Sequence, residues 1–460
     1  MQDEIVAPTD TATAVAAQLR AGVVGEVIEP NDPGYDQART IFQGGIDRRP
    51  AVIVKAVNAA DVAHVVSVAS GSELPLAVRS GGHSLYGVWD DAIVLDLSKM
   101  NALEIDADSR TAWAEPGVLA GEYTEAAAEH GLVTGFGDTA SVGLGGLTVG
   151  GGIGYLVRAH GLTIDNLIGA DVVTADGRHL TVDADNHPDL FWAIRGGGGN
   201  FGVVTKFRYR LHSVPTVLGG LLVLPATPEV VAEYLRISLE APDELSSIIN
   251  IMPAPPMPGV PDEAVGQLVI LAIIVYAGDP EEGAKVLAPI RELGVLADMV
   301  QPMPFSGIYQ PEDPNYHPLT FSRTNFVDEV DVATAGRILE TLQTSSAMMP
   351  VAQLRPLGGA MARVPSDATA FAHRDRKIMF TAAVVFEKPE EAAEHRAWVD
   401  EFAKVVQRPG GGSYVNFLYD DAAERIHEAY PDATYARLVE LKRTYDPNNL
   451  FKLNGNISPS

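Results

Sequence analysis

Cysteine is absent from all 460 residues. That absence excludes disulfides, a thiolate nucleophile, zinc–thiolate sites and cysteine-ligated clusters. Positive charge is scarce: 33 lysines and arginines stand against 60 acids, a formal charge of -27. Such a surface repels phosphodiester backbones and anionic headgroups, so neither nucleic acid nor a membrane is an expected partner. Long apolar runs are missing as well; "GQLVILAIIVYAG" is too short for a bilayer span and ends in glycine. The opening "MQDEIVAPTDTATAVAAQLR" carries acids where an export signal needs positive charge, and it lacks a continuous apolar centre. A cytoplasmic location is the expectation. HExxH, GxSxG and GxxxxGK[ST] do not occur, and the 11 histidines have no metal-like spacing. A hydrolase or a metalloenzyme is therefore not expected.

What is present reads as an ordinary globular protein, 46% hydrophobic and 20% charged. Its length predicts two domains. "AVIVKA" (51–56), "LPLAV" (74–78) and "AIVLDL" (92–97) read as buried strands. Asp61 reads as the N-cap of a helix that Gly71 ends. Strand "TAWAEPG" precedes an alanine-rich helix running to about residue 130. Asp176-Gly177 predicts a two-residue hairpin. In "VVTKFRYRLHSV", Phe207, Tyr209 and Leu211 alternate with Lys206, Arg208 and Arg210, the pattern of a half-buried strand. After residue 215, proline-rich pieces interrupt longer patterns, which predicts a second domain built as a sheet with covering helices. The expected division is a lead-in over 1–45, a first domain over 46–217, a second over 218–412, and a segment over 413–460 that returns to the first.

Two glycine-dense runs stand out. "GFGDTASVGLGGLTVGGGIG" (135–154) needs bare backbone, either for close approach to phosphate or a flat cofactor, or for a tightly packed helix–strand junction. "RGGGGNFG" (195–202) contains GxGxxG at Gly197, Gly199 and Gly202. A dinucleotide-binding turn requires a strand before those glycines and a helix after them. Here the helix-like "PDLFWAI" comes first and the alternating strand second, so a nicotinamide site of that kind is rejected.

"RSGGHSLYG" (79–87), "VGLGGLTVGGGIGYLVRAHGLTIDNLIGADVVTADG", "DLFWAIRGGGGNFGVVT" and "YDPNNLFKLNGNI" follow one another in an order that resembles the berberine-bridge-enzyme-like flavoprotein oxidases. The pattern is close to that of bacterial hydroxynicotine oxidases and of oligosaccharide oxidases. The resemblance covers about 45–215 and the tail, and is weaker over 220–410. It implies an α+β protein: a two-part FAD-binding domain of the vanillyl-alcohol-oxidase (PCMH) type, plus a substrate domain on a mainly antiparallel sheet covered by helices. It also implies FAD bound covalently through His83, with amides of Arg79, Ser80, Gly81, Gly82 and Ser84 near the pyrophosphate. Gly143, Gly145, Gly146, Gly150, Gly151 and Gly154 would pass beside the phosphates and ring, with Gly117, Val204, Asn454 and Asn456 also around the cofactor. Some relatives carry a second link through a cysteine where this chain has Thr139, so a single linkage is implied.

The implied chemistry is hydride removal from a small organic substrate (a secondary metabolite, a sugar or an amine) to the flavin, which dioxygen reoxidises to give hydrogen peroxide. Val142 stands where relatives place a small residue near the oxygen-reactive face, which fits an oxidase. In many relatives "YxNY" supplies its second tyrosine as base; here "YVNF" puts Phe417 in that place and keeps Tyr414 and Asn416. Tyr414 is then the base, a substrate-orienting group, or a buried tyrosine satisfied by one hydrogen bond. Arg355 is a candidate cationic neighbour that would lower its pKa. As a strand, "VAQLRPLGG" places Gln353 and Arg355 on one face, aimed at the flavin or at solvent. The competing reading is a flavin-retaining carrier whose active site has decayed. Substrate identity and oligomeric state are left open.

Overall fold

The computed structural model describes residues 10–257, 259–310, 312–408, 410–418 and 421–460. Three large sheets organise the described residues, beside a two-stranded pairing of Leu132–Val133 with His212–Ser213. In the first, Val52–Lys55, Ile93–Asp96 and Leu76–Arg79 run parallel in that spatial order, and Glu26–Ile28 pairs antiparallel with Val52–Lys55. Helices cover parallel sheets, so their strands read as unbroken apolar runs. Here helix Ala59–Ser70 packs Val62, Val65 and Val66 against Val52, Ile93 and Leu95. Its N-cap is Asn58, whose side chain accepts from Asp61 N, and Gly71 ends it. Asp61 itself lies in the first turn, where its carboxylate accepts from the backbone N–H groups of Val24, Gly25 and Val57. An acid that ties down a neighbouring loop and an N-cap leave the same trace in sequence, which is why the cap falls three residues earlier than expected.

The second sheet is antiparallel, in the order Leu103–Asp106, Thr111–Ala114, Val203–Arg210, Leu167–Val173 and His179–Val182. Phe207 and Tyr209 are fully buried while Arg208 and Arg210 face outward, as their alternation requires. The Asp176-Gly177 hairpin is not a two-residue turn. Gly177 N donates to Thr174 O and Thr174 N to Arg178 O, leaving three residues in the loop with Gly177 at φ 80°. That is the next commonest hairpin, a type I turn closed by a left-handed glycine.

The third sheet has eight strands, all antiparallel. Val217–Pro225, Leu268–Tyr276, Leu245–Pro253, Met349–Pro356, Ile378–Phe386 and Leu319–Val327 follow one another, with two short strands beside Val217–Pro225. Helices Pro228–Glu240, Pro280–Arg291, Val332–Leu342 and Ala392–Lys404 close one face through Tyr234, Leu287, Ile338 and Phe402. On Met349–Pro356, Ala352 and Leu354 point into that helical layer, so Gln353 and Arg355 point to the opposite face.

The C-terminal helices Ala422–Ala429 and Asp432–Tyr445 rejoin the second sheet, where Leu418, Tyr430, Leu438 and Ile457 share a core with Phe201 and Phe207. Among the described residues no helix is long and apolar enough to cross a membrane, and no group of three acids or histidines is placed to hold a metal.

One pair of side chains makes stability depend on acid. His160 and His212 stack with ring centroids 4.0 Å apart and an interplanar angle of 8°. Burial first, then the His160 ring and Arg210, push His212 from its ordinary 6.5 to about 4; burial lowers His160 too. The folded state keeps His212 neutral while the unfolded chain takes up a proton at its ordinary pKa. Stability is therefore fully present above about pH 6.5 and falls as pH drops from there toward about 4. Tm measured against pH should show that fall, with a shallower slope in His212→Gln; equal slopes would remove the stacked pair as its source.

Candidate active site

A cavity of about 620 Å³ lies where the three sheets and the C-terminal segment meet. Its walls come from the Arg79–Ser84 loop, from 137–147, from Gly198–Asn200, from Gln353 and Arg355, and from Tyr414–Leu418 and Phe451–Gly455. A second cavity of about 670 Å³, between 404–412 and 424–431, contains none of the motif residues.

The loop bearing His83 leaves the C-terminal end of strand Leu76–Arg79 and is fixed on every side. Gly82 takes φ 75°, open to glycine without strain, and its carbonyl accepts from Phe42 N at 2.9 Å. Gly81 and Gly143 lie back to back: a Cβ on Gly81 would sit 2.3 Å from Gly143 N. Gly81 thus lets the two loops meet, and with Gly82 it also lines the cavity. The Phe42 ring stacks on the His83 imidazole at 4.4 Å, and His83 Nε2 lies 2.9 Å from Ser141 Oγ. Burial holds the imidazole pKa below its ordinary value, outweighing Glu312, Ser141 and Asp138, which act the other way.

Side chains of this loop are used up within the fold. Arg79 pairs with Asp96 and donates to the carbonyls of Ala38 and Thr40. Ser80 Oγ donates to Pro116 O at 2.5 Å, and Ser84 Oγ accepts from Tyr86 N. Apart from the His83 ring, what remains for a ligand is mainly main chain.

Gln353, Arg355, Tyr414 and Asn416 come together at the other end. Arg355 donates to Asp138 Oδ2 at 2.5 Å and to Gln353 Oε1 at 2.7 and 2.9 Å, and Gln353 Nε2 donates to Asn250 Oδ1 at 2.9 Å. The guanidinium also lies 5.5 Å from the Phe417 ring centroid. Tyr414 Oη accepts from Gly152 N at 2.7 Å and from Asn416 Nδ2 at 3.0 Å. Burial pushes its pKa up to about 12, against those two donors and Arg355. The expected lowering by Arg355 is present but outweighed, because the ring is desolvated and the Arg355 charge is already paired with Asp138.

Thr139, Val142, Gly143, Gly145, Gly146, Val204 and Asn454 also line the cavity. Gly117, Gly150, Gly151, Gly154 and Asn456 do not. Those glycines satisfy the packing alternative: a Cβ on Gly154 would meet Phe136 O at 1.4 Å, on Gly117 Leu97 O at 2.3 Å, and on Gly150 Asn416 Oδ1 at 1.9 Å. Gly151, at φ 139°, backs onto Tyr414 and Phe371. Asp138, Ser141, Asn250 and Glu312 were not legible as site residues, since single polar residues in loops and strands carry no periodic signal.

Two observations fit the site to a cofactor that lies against main chain and presents a hydrogen-bond donor. Bare main chain faces the space at Gly146, where an added Cβ would touch nothing within 4 Å. Asn454 Nδ2 is committed to Gly199 O and Phe451 O, while its buried Oδ1 has no partner and awaits a donor.

Residues 50–183 match the family model described as an FAD binding domain, and 413–458 match "Berberine and berberine like". An FAD-linked oxidoreductase of Bacillus subtilis (strain 168), YgaK, is 31% identical over 95% of this chain and 97% of its own length. The chain belongs to the berberine-like FAD-linked oxidoreductases. (R)-6-hydroxynicotine oxidase of Paenarthrobacter nicotinovorans is 29% identical over 95% of this chain and 97% of that protein. The crystal structure of 6-hydroxy-D-nicotine oxidase from Arthrobacter nicotinovorans superposes with TM-score 0.84 at 27% identity, covering 95% of this chain and 98% of that one. Chitooligosaccharide oxidase shares the fold at TM-score 0.84 and 21% identity, over 98% of this chain and all of that one. In this berberine-like oxidoreductase, GxGxxG is followed directly by strand Val203–Arg210, the reverse of a dinucleotide turn.

Proposed function

We propose that this oxidoreductase oxidises a small amine, holding FAD through a single bond to His83 and passing the electrons to dioxygen. FAD, when bound, supplies the hydride acceptor. The observation that carries the amine reading is the state of Tyr414. With a pKa near 12 its hydroxyl stays protonated at neutral pH, and Phe417 beside it has no hydroxyl. An alcohol needs a base to take its proton as hydride leaves; an amine that enters as the free base does not.

The residues facing the substrate then bind and orient. Arg355 holds Asp138 in place, and Asp138, its side chain 24% exposed, puts a carboxylate at the wall that a substrate nitrogen can hydrogen-bond. Gln353 is fixed from both ends, by Asn250 and by Arg355, so its amide has one orientation. Val142 lines the cavity without filling it, in keeping with dioxygen as acceptor. The name of the hydroxynicotine oxidase relative, an enzyme of an amine, agrees with this reading.

The test is a panel of cyclic amines, primary alcohols and oligosaccharides, read by peroxide release and by anaerobic flavin reduction. Turnover confined to amines is expected, and Tyr414→Phe should change the reduction rate by less than about tenfold. A strong response to alcohols, slowed about 10²-fold or more in Tyr414→Phe, would restore tyrosine as the base. Absence of peroxide across the panel, with flavin present, would favour the carrier reading.

A further inference from the structure

We propose that Ser141 and Glu312 act as the proton outlet of His83, selecting Nδ1 as the atom that bonds the flavin. This rests on the covalent reading above. The hydrogen-bond chain has a direction. The Glu312 carboxylate accepts the Ser141 hydroxyl proton through Oε2, and Oε1 accepts from Ala140 N at 3.0 Å. A carboxylate has no proton to give, so Ser141 Oγ, having donated its own, accepts from the imidazole at 2.9 Å. That places the ring proton on Nε2 and leaves the lone pair on Nδ1. The ring's side-chain hydrogen bond is made through Nε2, and the Phe42 stack fixes the ring plane. Both parts of the protein contribute: Ser141 comes from the glycine-dense run, and Glu312 from the segment between Ile308 and strand Leu319–Val327.

The bond-forming step balances as follows. Nδ1 joins the 8α-carbon, and one hydrogen leaves that carbon as a proton. Forming the bond would leave the imidazole cationic; it sheds its Nε2 proton to Ser141, which passes one to Glu312. The two electrons left on the ring go to dioxygen, which takes up two protons and becomes hydrogen peroxide. The serine and the glutamate are positioning residues: they set the tautomer and receive the proton, and neither touches the bond that forms. Partners that orient metal-binding histidines from behind change affinity or activity by about 10- to 100-fold when removed, and an effect of that order is expected here.

The experiment follows attachment, not turnover. Full-length protein from riboflavin-limited cells is mixed with FAD in air, and intact mass reports the covalent fraction with time. Ser141→Ala and Glu312→Gln should bind FAD, as flavin fluorescence quenching shows, yet attach it at least about tenfold more slowly than the parent. Ser141→Thr, which keeps the hydroxyl, should restore the rate. Tandem mass spectrometry of the flavinylated peptide from the parent should place the bond on Nδ1. Attachment at the parental rate in both variants, with the parent covalent, overturns the outlet alone. A bond on Nε2 overturns it too. A parent that never gains the mass of FAD overturns the covalent reading and the outlet together.

Discussion

Replacing His83 by alanine is expected to move all of the flavin from pellet to supernatant on acid precipitation, while the parent pellet stays yellow. The expectation follows from a count of nucleophiles. The chain has no cysteine, the family resemblance puts Thr139 where a second link would be made, and His83 is the one histidine among the described residues lining the cavity. Removing it leaves neither a histidine nor a cysteine at the cavity to form the bond. The His83→Ala protein should still bind FAD reversibly, because Arg79, Ser80 and Ser84 use their side chains within the fold and the ligand-facing main chain is untouched. Native gel filtration should therefore give a yellow protein, and only denaturation should separate variant from parent. Retention of acid-stable flavin in His83→Ala would place the linkage elsewhere and end the single-bond proposal.

Lys442→Met is expected to destabilise the fold by about 3–5 kcal/mol, the usual result of breaking one side of a buried ion pair. The Lys442 ammonium is fully buried and makes three bonds: to Asp446 Oδ2 at 2.8 Å, to Asn200 O at 2.9 Å and to Phe451 O at 2.9 Å. Without it Asp446 keeps an uncompensated charge, and two carbonyls lose their donor. Pairing the change with Asp446→Leu should not restore stability, because the Asp446 carboxylate also accepts from Leu450 N at 2.8 Å and Phe451 N at 2.9 Å. Urea denaturation measures the loss. Flavin fluorescence should rise at lower urea than global unfolding, as the FAD held by His83 loses its contacts with Phe451, Leu453, Asn454 and Gly455. A loss below about 1 kcal/mol would mean that water replaces the lysine.

Much of this site was legible because its signals are dense or periodic. Glycines crowd into two short runs, histidine follows paired glycines, and Phe207 and Tyr209 alternate with charged residues. Density could not tell glycines that face a ligand from glycines that face another chain segment. Gly81 against Gly143, and Gly154 against Phe136 O, are contacts between residues 62 and 18 positions apart, which only the folded chain brings together. The Tyr414 environment was hidden for the same reason. The cation near it was named correctly, but its effect depends on Asp138, which lies 217 positions from Arg355. Local rules erred where one residue type serves two ends, as with Asp61 for Asn58 at the helix cap.

The last wall of the cavity has a consequence for how the enzyme is born. Asn200 holds Gly455 O and Ile457 N, and Asn454 holds Gly199 O, across 255 to 257 residues of sequence. A ribosome-bound chain that has completed both glycine-dense runs still lacks one side of the cofactor's compartment. Contacts of such long span form late and slowly. FAD is thus expected to be captured only after residues 451–457 have been made, the cradle being open along one edge until then. Where flavin is scarce, the colourless apoprotein is the form expected to accumulate.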